Sequence, residues 1–209
     1  MFVILDEDVE LEWLLCRAQD GDGDAFEALY RQLNRRVLSF AQARRVSDPD
    51  EIVNDVFLRV FTNIRSFEGN ANQFVGWVFR IARNLIIDDI RKRSRRDAER
   101  PAGDSLALEA DNVTRTVYDG PADVESIVVH KHDAEALLSY LDQLTPEQRD
   151  VILLRVVADQ SIEVTAATLG KSIASVKSIQ YRATRRLAEL LKESSAFARP
   201  SSTAARSDG

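Results

Sequence analysis

The chain has 209 residues and a formal net charge of −6, from 34 acidic against 28 basic side chains, and 44% of it is apolar and 30% charged. That composition excludes a wholly disordered chain, and a single cysteine, Cys16, excludes an internal disulfide framework or a Cys-rich zinc site. Apolar runs of only a few residues exclude membrane insertion, and the opening MFVILDEDVELEW lacks the basic start of a secretory signal, so a cytoplasmic location is expected.

The fold class expected is all-α: nothing reads as strand. Residues 1–27 carry nine acids and one base, Arg17. Within them Trp13, Leu14 and Cys16 read as an amphipathic helix, with Cys16 in the core. Phe26, Leu29, Tyr30, Leu33, Val37, Phe40 and Ala41 follow the 3–4 spacing of a second helix. Asp48-Pro49 marks the next start, with proline at the first helical position, and Ile52, Val53, Val56, Phe57, Val60, Phe61 and Ile64 form a wide apolar stripe. After a break at Ser66–Asn70, a run from Phe74 to Ile86 leads into the basic block Arg91-Lys92-Arg93-Ser94-Arg95-Arg96. Trp77 reads first as core. A second reading stays open, in which Trp77, Phe79 and Asn84 beside these cations hold unstacked bases.

Residues 97–125 hold eight acids against Arg100 and Arg115, together with Pro101, Gly103, Gly120 and Pro121. This stretch has no sustained apolar period and reads as a flexible acidic linker over 97–129. The expected organisation is a compact unit over 10–96, the linker, a second compact unit over 130–192, and a disordered tail over 193–209.

In the second unit, Leu137, Leu138, Leu141 and Leu144 form one stripe. Thr145-Pro146-Glu147-Gln148 carries a helix-start signature: Thr as N-cap, Pro first, Gln three residues after the cap. Ser161 is placed to cap a short helix over 162–168, Gly170 to end it in the left-handed conformation, and Ser172 to cap a long basic helix. A short helix, a glycine turn and a basic helix make a helix-turn-helix. At 100° per residue, Val176, Ile179, Ala183 and Leu187 fall on one face of the last helix and are expected to be core. Ala174, Lys177, Ser178, Tyr181, Arg182 and Arg185 fall on the other, with Ser175 beside them. Small residues there let a helix enter the major groove, and cations beyond them reach phosphates and base edges. Two basic modules on one tether gain effective concentration on a shared polyanion even when the whole chain is acidic.

Two rival classes stay open at this level. One is a helix-turn-helix repressor or activator that binds DNA by its second unit alone, with the first as a sensor or dimerisation module; the other is a helical adaptor that binds no nucleic acid. An enzyme is the least supported class. His130-Lys131-His132-Asp133 supplies too few ligands for a metal and reads as surface, and no cofactor is expected.

Several stretches resemble the extracytoplasmic-function (ECF) sigma factors of bacterial RNA polymerase. Asp24–Tyr30 resembles the opening of the family's region 2, and Asp50–Phe57 its polymerase-docking helix. Phe74–Leu85, with Asp88 and the basic run, resembles the promoter-melting segment. Leu144–Arg149, Val176-Lys177-Ser178 and Arg182-Ala183 resemble region 4. Asn54 stands where the family usually has Gln, and Val164-Thr165 where an acid and an aliphatic residue are typical.

The resemblance implies a non-enzymatic factor that directs core RNA polymerase to promoter DNA. It implies that Asn84 reads a flipped base of the −10 element, that Trp77, Arg80 and Arg83 support that site or the strand backbone, and that Arg91, Lys92 and Arg93 grip the upstream duplex. It assigns −35 contacts to Lys177, Ser178, Tyr181 and Arg182, on the face that also carries Ser175 and Arg185. Glu51, Asn54, Asp55 and Phe57 would meet the β′ clamp helices, and the second unit the β flap. An anti-sigma factor is a further expected partner.

Overall fold

The computed structural model describes residues 7–99, 135 and 137–197. It is helical, with no strand among the described residues. The elements are α1 (Glu7–Gln19), α2 (Gly23–Ala43), α3 (Pro49–Asn63), a 3-10 turn (Ile64–Ser66), α4 (Ala71–Glu99), α5 (Pro146–Val156), α6 (Ile162–Leu169) and α7 (Ile173–Phe197). Residues 137–142 are also helical. The expected linker lies mostly, and the His130–Asp133 tract wholly, outside the described residues. Helix α4 runs three residues past the expected boundary at 96, and α7 runs past 192.

Helix boundaries follow the local chemistry. Asp22 accepts from the amides of Asp24 and Ala25, and Asp48 from that of Glu51 with Pro49 at the first position. Thr145 and Gln148 form a complete capping box at α5. Ser161 caps α6, and Ser172 accepts from the Ser175 amide at the start of α7. Gly170 ends α6 at φ 64° and ψ 36°, a left-handed conformation that a Cβ disfavours. Thr145→Ala is expected to lower stability by about 1 kcal/mol, because it leaves an amide of the first turn unpaired. Thr145→Ser should retain most of that stability in urea unfolding.

Helices α1 to α4 pack around one core. Helix α2 contributes Leu29, Leu33, Val37 and Phe40, and α4 contributes Phe74, Val78, Phe79, Ala82 and Ile86, all 0–1% exposed. Phe40 and Phe79 meet edge to face with centroids 5.4 Å apart. In the second unit Val151, Ala166, Val176 and Ile179 form one cluster, and Leu144, Ile152 and Ala183 another.

The two units pack against each other. Leu153, Leu154 and Ala158 are buried in the same cluster as the core of the first unit. The α5 run Val151–Leu154 is apolar all round: Val151 and Ile152 serve the second unit, and Leu153 and Leu154 the first. A helix buried on both sides must be sandwiched between layers.

Candidate nucleic-acid interface

Helix α7 presents the sequence-predicted face. Val176, Ile179 and Ala183 are buried, whereas Lys177, Ser178, Tyr181, Arg182 and Arg185 are exposed, Tyr181 by 67%. Ser175 is half-buried at the rim of this face. Arg185 pairs with Glu189 one turn on, at 3.2 Å. The turn before α7 is braced by Lys171 Nζ, which donates to Glu147 at 2.7 Å. That hydrogen bond and the Lys171 charge hold the Glu147 carboxyl below its ordinary range. The basic helix is thereby fixed to the N-terminal end of α5.

Helix α4 carries the second set. Asn84 is exposed. Trp77 is half-buried and stacks in a tilted cluster with Phe67, at 5.2 Å, and Phe74, at 5.9 Å. Trp77 also lines a cleft of about 740 Å³, together with Arg59, Gln73, Arg80 and Glu163. Arg80 and Arg83 turn towards the second unit. Arg80 Nη2 donates to the Ala167 carbonyl at 3.2 Å, and Arg83 Nε to Asp150 Oδ2 at 2.7 Å. Further along, Arg91 and Lys92 are exposed, with Arg91 3.9 Å from Asp88. Arg93 is more engaged: it lies 3.3 Å from Asp89 and donates to the Arg45 carbonyl at 2.8 Å. It thus ties the end of α2 to α4.

Three expectations need correction. Phe57 is 6% exposed and packs edge to face on Tyr30 at 4.7 Å, so it is core and does not offer its ring to a partner. Phe79 is fully buried and holds no base. Cys16 is exposed, as is Trp13 at 54%, because α1 turns Leu14, Leu15 and Ala18 inward instead. The outer face of α3 carries Glu51, Asn54, Asp55, Leu58 and Phe61, all exposed, the last two by 65% and 62%. Leu58 breaks the inward period, so the apolar pattern of the sequence does not single it out. Phe61, expected in the apolar stripe, lies only 40° round the helix from the buried Phe57 yet falls outside the core.

Asp150 is a further residue that the sequence does not single out. It is 3% exposed in α5, and it meets Arg83 together with Arg44, whose Nη1 lies 3.0 Å from Oδ1. Burial works against the charge of Arg44, and Asp150 opposes that effect. In the sequence Asp150 reads as an ordinary acid near a helix N-terminus.

An all-α chain that pairs a helix-turn-helix with a second cation-bearing helix, and a third helix whose exposed face mixes acidic and apolar residues, has the make-up of a transcription factor with more than one contact surface. Residues 26–96 match the family model described as Sigma-70 region 2, and residues 134–187 match that of Sigma-70, region 4. The chain is 33% identical over 182 residues to the ECF RNA polymerase sigma factor BldN of Streptomyces coelicolor, covering 86% of this chain and 65% of that one. It is 29% identical to the ECF sigma factor SigX of Bacillus subtilis, covering 81% of this chain and 87% of that one.

Two solved structures share the fold. CnrH in complex with the cytosolic domain of CnrY matches at a TM-score of 0.63 and 22% identity, over 90% of this chain and 99% of that one. The sigma factor RpoE in complex with the anti-sigma factor NepR from Bartonella quintana matches at 0.59 and 26%, over 80% and 96%. The chain belongs to the ECF sigma factors of the sigma-70 family, non-enzymatic initiation factors that direct RNA polymerase to promoters. The adaptor and polymerase-independent regulator readings give way to that. Among the described residues no helix is long and apolar enough to cross a membrane.

Proposed function

We propose that the outer faces of α4 and α7 read two promoter elements, and that α3 docks the chain on polymerase. The exposure of Lys177, Ser178, Tyr181 and Arg182 on one face of a helix-turn-helix recognition helix carries the reading. These four side chains are the −35 contacts, with Ser175 and Arg185 at the margins.

Asn84 takes a flipped base of the −10 strand through its amide. Trp77 supports that base from the neighbouring cleft, Arg80 and Arg83 hold the strand backbone, and Arg91 and Lys92 grip the upstream duplex. Arg93 acts mainly as a brace for that helix. No covalent chemistry occurs on the chain. Melting costs about 1–2 kcal/mol of stacking per base-pair step, offset by capture of unpaired bases and neutralisation of phosphates. The units over 10–96 and 130–192 serve as the two reading modules, and the acidic segment 97–129 connects them through the polymerase.

On α3, the stripe Glu51, Asn54, Asp55 and Leu58, extended by Phe61, meets the β′ clamp helices. Apolar groups exposed amid acids suit a surface that is covered only in the complex. The second unit meets the β flap, and the chain works in the cytoplasm. The matched RpoE structure, which contains the anti-sigma factor NepR, supports an anti-sigma partner for this chain.

Run-off transcription with core polymerase tests the reading: added chain should give promoter-specific transcripts, and none without it. Leu58→Glu is expected to weaken assembly with core polymerase at least about tenfold in a gel-filtration or anisotropy titration, by placing a charge at the centre of the contact. It should leave thermal stability unchanged, since Leu58 is solvent-exposed. Equal assembly by both chains would remove α3 from the interface.

A further inference from the structure

The segment between α3 and α4, from Ile64 to Ala71, is open to solvent yet tightly tied. Ser66, Glu68, Gly69 and Asn70 are exposed, so burial does not hold them. Hydrogen bonds do. At one end, the Gln19 amide of α1 donates to the carbonyls of Ile64, at 3.1 Å, and Phe67, at 2.7 Å. At the other, the Glu12 carboxylate, about two turns earlier in α1, accepts from the Ala71 amide at 2.5 Å. The start of a helix leaves that amide without an intrahelical partner, and a carboxylate there also meets the positive end of the helix dipole. Asn70 and Gln73 exchange a further pair of hydrogen bonds, each at 3.0 Å, and complete the cap. Between the two ends the chain turns at Gly69, at φ 150°, where a Cβ would sit 2.7 Å from Gln73 Oε1 and 2.9 Å from Phe67 Cζ.

The tied segment carries Phe67, whose ring meets Trp77 at 5.2 Å and Phe74 at 5.5 Å. Ser66, Phe67 and Glu68 line the cleft that Trp77 also lines. A loop tied at both ends has a fixed shape, and a binding wall ordered beforehand removes a cost from the binding step. Helix α1 carries none of the contacts proposed above. Its Leu14, Leu15 and Ala18 are buried in the core, so Glu12 and Gln19 reach the loop from a rigid base.

We infer that Glu12 and Gln19 are positioning residues for promoter opening: α1 clamps the 64–71 segment at both ends, and the clamped Phe67 holds Trp77 where it supports the flipped base. The inference rests on the reading of α4 as the strand-binding helix. Neither residue touches DNA. Release of either end lets Phe67 leave Trp77, and the cleft then meets the unpaired base in shapes that do not fit it. Capture falls with the fraction of time spent in the fitting shape. Docking on the upstream duplex is spared, because it depends on α7.

The test uses the full-length chain assembled with core polymerase, on a promoter fragment from which the parent gives run-off transcripts. Footprinting reads closed complexes, and permanganate reactivity of unpaired thymines reads open ones. Glu12→Ala and Gln19→Ala are each expected to lower the open-to-closed ratio about tenfold, the equivalent of one lost hydrogen-bonded tie, with closed-complex formation within about twofold of the parent. Glu12→Gln keeps an acceptor for the Ala71 amide and should stay near the parent. Gln19→Glu keeps the size but turns a carboxylate towards two carbonyls, and should open promoters no better than Gln19→Ala. In a Trp77→Ala background neither alanine change should add a further loss, since the clamp acts through that ring. A thermal melt checks that each chain is folded.

Open-to-closed ratios equal to the parent's for both alanine variants, beside a defective Trp77→Ala chain, would overturn the clamp. So would parallel losses of closed and open complexes, which mark a general support of the fold. Losses that add fully to that of Trp77→Ala would overturn the route through Phe67. Should an alanine variant fail to fold, Glu12→Gln and Gln19→Glu decide alone, and equal behaviour of these two would contradict the clamp. If Trp77→Ala and Asn84→Ala both opened promoters as well as the parent, the strand-binding reading of α4 would fall, and the positioning role with it.

Discussion

Replacing Phe79 with alanine is expected to lower stability by about 3–5 kcal/mol, enough to unfold much of a marginally stable domain. The ring is fully buried, packs edge to face on Phe40, and lies under the Arg36 guanidinium at 6.0 Å. The cavity would open where α2 and α4 cross, so neither helix alone could close it. A urea titration followed by circular dichroism reads the loss directly. A Phe79→Ala chain that unfolds at the parent's midpoint yet loses strand binding would return Phe79 to the role of a base-stacking residue, against its burial.

The second large effect is on promoter use. Arg182→Ala is expected to lower promoter-specific transcription about ten- to hundred-fold, the equivalent of about 1–3 kcal/mol for one base-edge or charge-assisted contact. Its side chain is exposed beside Lys177, Ser178 and Tyr181 and supports no core, so stability should stay within about 0.5 kcal/mol of the parent. The loss should appear in recruitment, as weaker closed-complex formation. Asn84→Ala should divide the process differently: closed complexes persist, while permanganate reactivity of unpaired thymines falls. Identical defects from the two substitutions would deny the separate roles given to α4 and α7.

Much of this was legible in the residues because it is local. Asp48-Pro49, the Thr145–Gln148 box and Ser161 each fix a helix start with atoms only a few residues apart, and Gly170 fixes a stop. The recognition face was legible for a related reason. Val176, Ile179 and Ala183 leave one narrow inward stripe on α7, so the outward set follows from 100° per residue.

On α3 the apolar stripe is too wide for that logic. Val56, Phe57, Val60 and Phe61 span more of the helix than the core covers, so the wheel alone could not show that Phe57 turns in and Phe61 out. Cys16 and Trp13 failed likewise, because α1 has only a weak apolar bias and its packing is decided by α2 and α4. Asp22, the cap of α2, was visible in principle in Asp22-Gly23-Asp24, yet three acids within five residues offer several registers.

The docking of the two units has almost no signature in the sequence. Asp150 is 67 residues from Arg83 and 106 from Arg44, and no local pattern links a buried acid in one unit to arginines in another. The apolar run of α5 carried a hint. Four consecutive buried residues, Val151 to Leu154, exceed what a helix facing a single layer buries. Only the fold says that the second layer is the other unit.

The account rests on two cationic helix faces that reach a promoter together only after polymerase has spaced them. Hydroxyl-radical footprinting of promoter DNA measures this most directly, with the full-length chain alone, with core polymerase alone, and with both. Protection at the −35 and −10 elements only when both are present is the predicted result. Equal protection of both elements by the chain without polymerase would contradict it.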